Sequence, residues 1–386
     1  MSPSLRFPEF TGEWERCVLG DVLEFSNTRI NSSELNSGNY VSTENILQNF
    51  QGIVKARSIP EDTNVMAFSC GNILLSNIRP YLKKVWKATF NGGCSSDVFV
   101  LQANSNIDAD YLHYVVANDK FIGFVMNGAK GVKMPRGDKN QMKTYSLSLP
   151  SIKEQRKISR FLSFLDERIA VQNRLIDRLQ SLIKGIMVKL QQQGLSKGTW
   201  KRVPLSSILK ERTELNEGLL PVYSVSVSQG VVNQMEYLGR SFAAKDTSKY
   251  HVAHFGDLIY TKSPTGSFPY GIVKQNSNRY KVAVSPLYGV YTPANYFTGV
   301  FLQEYFKSEV NTFNYLHSLI QKGAKNTINI TNQRFLDNYI LIPTDSNDLQ
   351  QISNLLLRLN AKKDLMQNML QQYQEQKQYL LRQMFI

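Results

Sequence analysis

Residues 151–193 read SIKEQRKISRFLSFLDERIAVQNRLIDRLQSLIKGIMVKLQQQ, and this stretch decides how the chain is organised. Steps of alternately four and three residues along it meet nine apolar residues at ten positions, which is the heptad spacing of a coiled-coil helix. These positions are Ile158, Leu162, Leu165, Ile169, Gln172, Ile176, Leu179, Ile183, Ile186 and Leu190. At about 1.5 Å per residue, the helix would be a rod of roughly 50 Å. An apolar seam of this length predicts a partner helix.

A matching seam lies near the C-terminus of the same sequence. Adding 194 to each position gives eight apolar residues at ten positions in the same register. They are Ile352, Leu356, Leu359, Lys363, Met366, Leu370, Tyr373, Lys377, Leu380 and Met384. Two alternatives fit this pattern: each helix could pack on its own domain, or the seams could join two copies of the chain. The matched register and length favour pairing within the chain, with Gln172, Lys363 and Lys377 setting the register.

The segments that precede the two helices also repeat. Residues 200–202 correspond to 14–16, 255–260 to 70–75, and 339–343 to 145–150. This duplication predicts a globular domain over 1–150, a coil helix over 151–193, a linker over 194–199 that begins with Gly194 as a helix stop, a second globular domain over 200–343 and a second coil helix over 344–386. The predicted fold class is α+β, with two similar globular α/β domains in a pseudo-two-fold arrangement, separated by two long helices that form an antiparallel intramolecular coiled coil.

The composition indicates a basic globular protein. The chain of 386 residues has 42% hydrophobic residues, a net charge of +14 and a pI near 9.5, which favour a polyanionic partner such as nucleic acid. The charge is uneven, because residues 1–150 carry 15 basic and 14 acidic groups whereas 200–343 carry 15 and 9. Three cysteines without a CxxC pattern fit a reducing cytosol, and neither a secretion signal nor a membrane-spanning run is expected.

Several short patterns resemble a known family. Leu149-Pro150 followed by Glu154-Gln155-Arg156-Lys157-Ile158, and then Leu165-Asp166-Glu167-Arg168-Ile169, are similar to the turn into the long helix in specificity subunits of type I restriction–modification systems. The strands that begin at Gly71 and Gly256 and the Gly-Ala-Lys loops at Gly128 and Gly323 also fit this family. The resemblance extends over essentially the whole chain. It implies that each globular half is a target recognition domain.

The resemblance also implies the partners and their chemistry. Such a subunit would be non-catalytic and cytoplasmic, in a bacterium or archaeon, and would bind double-stranded DNA without any membrane association. It would assemble with two methyltransferase subunits, which methylate adenine N6 with S-adenosylmethionine, and with restriction/motor subunits that use ATP and Mg²⁺. No cofactor is expected in this chain itself. Two unlike reading domains at the ends of a rigid coil predict an asymmetric, gapped target with half-sites roughly one helical turn apart.

Basic and amide residues cluster in two loops of each half, and these are the candidate DNA-binding groups. Arg and Asn can pair with guanine and adenine edges, whereas Lys mostly meets phosphates. The candidates are Asn77, Arg79, Lys83, Lys84, Lys130, Lys133, Arg136, Lys139, Lys262, Ser263, Thr265, Ser267, Lys322, Lys325 and Asn326. The alternative interpretation is that these are solvated surface charges and turn residues.

The sequence gives little support for an enzyme. It contains no GxxxxGK[ST] phosphate loop, and its Ser-Pro dipeptides at Ser263 and Ser285 lack the second proline of an adenine-methyltransferase motif. The pair His251 and His254 lacks surrounding metal-ligand residues. A second binding class remains open: a sequence-indifferent architectural coiled-coil protein would use the same basic surfaces and show a steep salt dependence without a preferred site.

Overall fold

A computed structural model of the chain describes residues 3–240, 243–322 and 328–385, with the side chains of residues 321, 322, 328 and 329 not described. It divides into two compact units, residues 1–173 with 369–386 and residues 174–368. Each unit therefore combines one globular half with part of both long helices. The division into five consecutive segments, which the sequence suggests, stays a prediction.

The first globular half is built from short strands and four helices. Its strands are β1 (Glu15–Val18), β2 (Leu23–Phe25), β3 (Arg29–Asn31), β4 (Tyr40–Val41), β5 (Asn64–Phe68), β6 (Ile73–Ser76), β7 (Val85–Lys87), β8 (Gly92–Cys94), β9 (Val98–Ala103) and β10 (Ser146–Leu149). Its helices are α1 (Leu19–Val22), α2 (Ala109–Val116), α3 (Asp119–Asn127) and α4 (Lys139–Lys143). One four-stranded sheet has the order β2-β9-β6-β7, another has the order β3-β5-β8-β4, and β1 pairs with β10.

The long helix α5 (Ile152–Ser196) leads into the second half. The strands there are β11 (Trp200–Pro204), β12 (Leu209–Glu211), β13 (Tyr223–Ser226), β14 (Gly230–Asn233), β15 (His251–Ala253), β16 (Leu258–Tyr260), β17 (Val273–Gln275), β18 (Val282–Val284), β19 (Gly289–Pro293), β20 (Gln321–Lys322), β21 (Ile328–Asn329) and β22 (Tyr339–Pro343). The helices are α6 (Gln234–Leu238), α7 (Tyr296–Phe306), α8 (Glu309–His317), α9 (Asn332–Phe335) and the long α10 (Ser346–Met384).

The strand order confirms the internal repeat. The second half has a four-stranded sheet in the order β12-β19-β16-β17, which matches β2-β9-β6-β7 element by element. In each half the first strand pairs antiparallel with the last strand before the long helix, as β1 with β10 and β11 with β22. Trp14 directly precedes β1 and Trp200 is the first residue of β11, and both are buried. The halves differ outside this frame, because the β13-β14 hairpin replaces part of the β3-β5-β8-β4 sheet.

The core of the first unit includes both long helices. Ile158, Leu162 and Leu165 of α5 pack with strand and helix residues of the first half, and so do Leu381 and Met384 of α10. The carboxylate of Asp166 lies 2.5 Å from Nζ of Lys377, and the guanidinium of Arg168 lies 5.5 Å from the ring centre of Tyr373. Because later residues of α5 meet earlier residues of α10, the two helices run antiparallel in this unit.

The second unit repeats this arrangement with the other portions of the helices. Leu179, Ile183 and Met187 of α5 join one core cluster with Leu349 and Leu356 of α10. Every seam position predicted from the heptad spacing is buried or partly buried in the structure. The pairing of α5 and α10 within one chain is thus confirmed, together with the α+β fold class. The long helices also pack on the globular domains, because apolar residues of α5 and α10 belong to the core clusters of both halves.

The end of α5 differs from the expectation. Gly194 does not stop the helix, which continues to Ser196. A Cβ atom at position 194 would lie 2.0 Å from Cδ1 of Trp200, so this glycine makes room for the indole that opens the second half. The chain leaves the helix at Gly198, whose φ of 68° lies in the left-handed region that favours glycine.

Candidate nucleic-acid interface

The structure joins the two predicted loops of the first half into one surface. The backbone N–H of Arg79 donates to the carbonyl of Pro135 at 2.8 Å, and the N–H of Gly137 donates to the carbonyl of Asn77 at 3.1 Å. An isolated β-bridge joins Ile78 to Arg136. We call residues 77–84 and 128–140 together the paired-loop surface. Two loops that are far apart in the sequence therefore present their polar groups side by side.

The backbone of residues 77–84 is set by a short turn. Arg79 and Lys83 adopt φ angles of 51° and 53° on either side of Pro80–Leu82, whose proline is buried. Non-glycine residues in this left-handed region carry a cost of about 1–3 kcal/mol, so the surrounding structure must hold them there. One such restraint is the N–H of Phe50, which donates to the carbonyl of Lys83 at 2.9 Å. The backbone positions from which the side chains of Arg79 and Lys83 project are thus fixed by the fold.

Three cations of the paired-loop surface have acidic partners. Lys83 pairs with Asp119 at 2.7 Å, Lys130 with Asp138 at 3.0 Å and Arg136 with Asp97 at 3.3 Å. The hydrogen bond from Lys130 holds the pKa of Asp138 below its usual range, and two backbone N–H groups add to the effect. These exposed pairs are individually weak, so a phosphate could exchange with the carboxylates at small cost.

The remaining candidates of the first half lie in different surroundings. The ammonium of Lys84 donates to the carbonyl of Thr43 at 2.5 Å, which makes it a tether between two segments. The side-chain oxygen of Asn77 is shielded from solvent and has no hydrogen-bond partner. Lys139 lies over the rings of Phe25 and Phe99 at 5.5 and 5.1 Å. Lys133 is exposed at the far end of its loop.

In the second half the structure describes only part of the predicted site. Residues 265–268 form a tight turn, because Thr265 and Phe268 exchange backbone hydrogen bonds of 3.0 Å in both directions. The hydroxyl of Ser267 donates to Glu309 at 2.6 Å, and Ser263 is exposed. Partial burial lowers the pKa of Lys262. The backbone of Lys322 lies in β20, whereas its side chain and all of Lys325 and Asn326 lie outside the described residues.

A cavity in the second half was not predicted from the sequence. It has a volume of about 490 Å³ and is lined by aromatic rings and amides, among them Tyr223, Tyr237, Tyr280, Asn233 and Asn278. The hydroxyls of Tyr223 and Tyr280 are 2.5 Å apart. Partial burial raises the pKa of Tyr223 to about 12, and this hydrogen bond adds to the shift. These residues are dispersed over about sixty positions of the sequence, which is why no local pattern indicates them.

The two histidines considered for metal binding have other roles. A ring nitrogen of His254 lies 2.5 Å from a carboxylate oxygen of Glu214, and Nδ1 of His251 lies 2.8 Å from the carbonyl of Tyr288. In the part of the chain that the structure describes, no group of three or more His, Cys, Asp or Glu side chains could hold a metal ion. No helix among the described residues is both long enough and apolar enough to cross a membrane.

The amino-acid sequence matches a known family in its first half. Residues 11–181 match the family model described as the type I restriction modification DNA specificity domain. The chain is 29% identical over 126 residues to the type I restriction enzyme EcoDI specificity subunit of Escherichia coli, covering 32% of this chain and 28% of that protein. It is 26% identical over 249 residues to the MjaVIII specificity subunit of Methanocaldococcus jannaschii, covering 59% and 55%. The matches thus span about a quarter and about half of these relatives' lengths.

Solved structures show the same fold. The type I restriction–modification S subunit from M. genitalium superposes with a TM-score of 0.65 and 14% identity, over 100% of this chain and 99% of that one. A chain from a study of complex assembly and conformational transition of a type I system superposes with a TM-score of 0.51 and 18% identity, over 97% of both chains. The family resemblance inferred from the sequence is confirmed.

Proposed function

We propose that this chain, whose residues 11–181 belong to the family of type I restriction modification DNA specificity domains, is a specificity subunit that reads a gapped sequence in double-stranded DNA. In this proposal each globular half reads one half-site. The long helices set the separation between the two. The chain itself performs no chemistry.

The observation that carries the proposal is a repeated frame with unlike loops. Both halves have the same order of strands in their four-stranded sheets, so they hold loops at equivalent places. The loops themselves differ, since β6 is followed by the cationic residues Arg79, Lys83 and Lys84 whereas β16 is followed by Lys262 and hydroxyl side chains. To read two different half-sites, the two domains must hold their loops at equivalent places and present different side chains to the bases. The target would therefore be asymmetric.

The partners follow from the family. We propose that two methyltransferase subunits bind this chain and methylate adenine N6 in the two half-sites, with S-adenosylmethionine as their cofactor. Restriction/motor subunits with ATP and Mg²⁺ would join the same assembly, which would act in the cytoplasm. The two relatives named above are described as specificity subunits of type I restriction enzymes, which supports this assignment.

The proposal is tested by selecting bound duplexes from a randomised DNA pool with the purified complex of this chain and its methyltransferase subunits. Selection at two salt concentrations should enrich one gapped motif, because base contacts persist where phosphate contacts weaken. Binding that falls steeply with salt and enriches no motif would instead identify a sequence-indifferent architectural protein. The methyltransferase subunits alone, without this chain, are the control and should enrich nothing.

A further inference from the structure

The outer end of the loop 128–140 carries two exposed apolar side chains. Val132 is 100% exposed and Met134 is 48% exposed, with the cation Lys133 between them. Single exposed apolar side chains are common on protein surfaces and need no explanation. Here, however, they lie two positions apart on a loop whose base is hydrogen-bonded and which carries Lys130, Lys133 and Arg136. We call residues 131–134 the tip.

The base of the tip is fixed by backbone hydrogen bonds. Lys130 and Arg136 exchange N–H to carbonyl bonds of 2.9 Å in both directions, and this single isolated β-bridge closes the loop 131–135. The buried Pro135 accepts the N–H of Arg79 at 2.8 Å, so the base of this loop is also tied to residues 77–84. Gly131 has a φ of 96°, and a Cβ atom there would approach the carbonyl of Met134 to 3.3 Å. The base of the tip is therefore held in place by the free chain itself.

The charges around the tip select the kind of partner. The side chain of Lys130 is 81% exposed and that of Arg136 is 54% exposed, on the two sides of the loop, while Lys133 lies at its end. Lys130 and Arg136 pair with Asp138 and Asp97, and such exposed pairs are weak enough to exchange for phosphate contacts. The major groove, about 12 Å wide, admits a pair of β-strands, and a loop closed by one antiparallel bridge is no broader at its base.

We infer that Val132 and Met134 contact thymine methyl groups in the major groove of the first half-site, while Lys130, Lys133 and Arg136 meet the flanking phosphates. This inference rests on the proposed function and adds a class of base contact to it. The thymine methyl is the only apolar group that a base pair presents in the major groove, so an apolar tip would distinguish thymine from cytosine. The amide and cationic candidates of the first half would not provide that contact.

The test removes the methyl from the DNA and the side chain from the protein in turn. Once the selected motif is known, duplexes are made in which each thymine, on either strand, is replaced by deoxyuridine. Binding of each duplex by the complete complex is measured for the wild-type chain and for V132A and M134A. Loss of a contacted methyl should weaken wild-type binding about fourfold, the amount expected for one buried methylene. The same replacement should have no effect in whichever variant has lost the contacting side chain.

Two control variants separate the possible outcomes. L287A removes an apolar side chain that is 70% exposed in the second half, and it should keep the full sensitivity to deoxyuridine. K133A should weaken all duplexes alike and reduce their salt dependence, as expected for a phosphate contact. If the complex selects its motif but V132A and M134A respond to every deoxyuridine as the wild type does, the tip does not read thymine and only this inference fails. If no motif is selected, the proposed function fails with it.

Discussion

The two long helices begin at equivalent places in the repeat, yet their first turns are anchored by different chemistry. In α5 the carboxylate of Glu154 is almost fully buried and accepts hydrogen bonds from Arg6 at 2.7 and 2.8 Å and from the indole of Trp14 at 3.3 Å. The next residue, Gln155, accepts the N–H of Asp108 at 2.8 Å and donates to the carbonyl of Pro150 at 2.9 Å.

In α10 the corresponding residues are Asp348, which is exposed, and Leu349, which is buried in the core of the second unit. A buried serine is shared by the two helices. Ser159 of α5 and Ser353 of α10 are both buried, and the hydroxyl of Ser353 donates to the carbonyl of Phe297 at 2.9 Å. The first turn of a long helix can therefore be anchored either by a specific polar network, as in α5, or by apolar burial, as in α10. The polar version is geometrically selective and also vulnerable, because removing one member leaves buried partners unpaired.

The largest effect is expected from E154A. This change leaves the indole N–H of Trp14 without its acceptor and leaves the guanidinium of Arg6, among the described residues, with only the carbonyl of Gly12, and removing one partner of such a largely buried pair should destabilise the first unit by about 3 kcal/mol. The matched variant D348A should change stability by less than about 0.5 kcal/mol, since its side chain is exposed. Hydrogen exchange followed by peptide mass spectrometry would localise the effect. Faster exchange after D348A than after E154A would contradict the comparison.

Exchanging the two anchors should damage both ends. L349Q would lose apolar burial and place an amide where the core offers no partner, for a cost of about 2–3 kcal/mol in the second unit. Q155L would leave the N–H of Asp108 without its acceptor and should cost about 1–3 kcal/mol in the first unit. Urea unfolding of the full chain measures both. Two variants as stable as the wild type would show that the anchors are interchangeable.

The first unit should also be the more acid-sensitive one through His113. Burial, with a smaller contribution from the ammonium of Lys377, lowers the pKa of His113 to about 4, and Nδ1 has no hydrogen-bond partner. Between pH 6.5 and 4 the unfolded chain binds a proton that the folded unit does not, so stability falls as the pH falls through this window. Since the residue as a whole is only partly buried and solvent screening reduces the effect, the loss is roughly 2 kcal/mol.

The variant H113L removes this titration. The difference in unfolding free energy between wild type and variant should change by roughly 2 kcal/mol from pH 7 to pH 4, with the wild type losing more. Carboxylates that titrate in the same range affect both proteins and cancel in the difference. A difference that stays constant across the window would mean that His113 is not held in its neutral form.

The smallest effect is expected from the polar members of the seam. Nζ of Lys377 lies 2.5 Å from Asp166, which also accepts the hydroxyl of Tyr114 at 2.7 Å. K377M should cost about 1 kcal/mol, because Asp166 is partly exposed and keeps the tyrosine. The counterpart Lys363 pairs at 3.4 Å with Asp364, which is 65% exposed, so K363M should cost less than about 0.5 kcal/mol. Equal losses of unfolding free energy for K377M and K363M in urea would contradict this difference between the two lysines.

The heptad spacing predicted the two long helices because it depends only on residues three and four positions apart, whatever those helices pack against. The internal repeat followed from residues such as Trp14 and Trp200, whose places beside equivalent strands are visible in the sequence. The anchors were not predictable. A Glu-Gln pair in a first helical turn looks like a solvated, dipole-compensating end, and nothing local indicates that Arg6, more than a hundred residues earlier, buries it.

The candidate site was predictable in composition and not in geometry. The cationic loops of the first half are recognisable, but the backbone hydrogen bonds that join Arg79 to Pro135 leave no periodic trace in the sequence. The same limit applies to Lys84 and Ser267, which look like surface groups and bond to Thr43 and Glu309 instead. Polar side chains serve as tethers or as contact groups according to neighbours that are distant in sequence.

The most direct test of the central claim is modified-base sequencing of DNA from cells that express this chain with its methyltransferase subunits. We expect N6-methyladenine in one gapped motif that requires the intact chain. Replacing both Lys325 and Asn326 by alanine should change the bases of one half-site and leave the other half-site and the gap unchanged. Methylation of a single compact motif, or methylation that persists without this chain, would contradict the account.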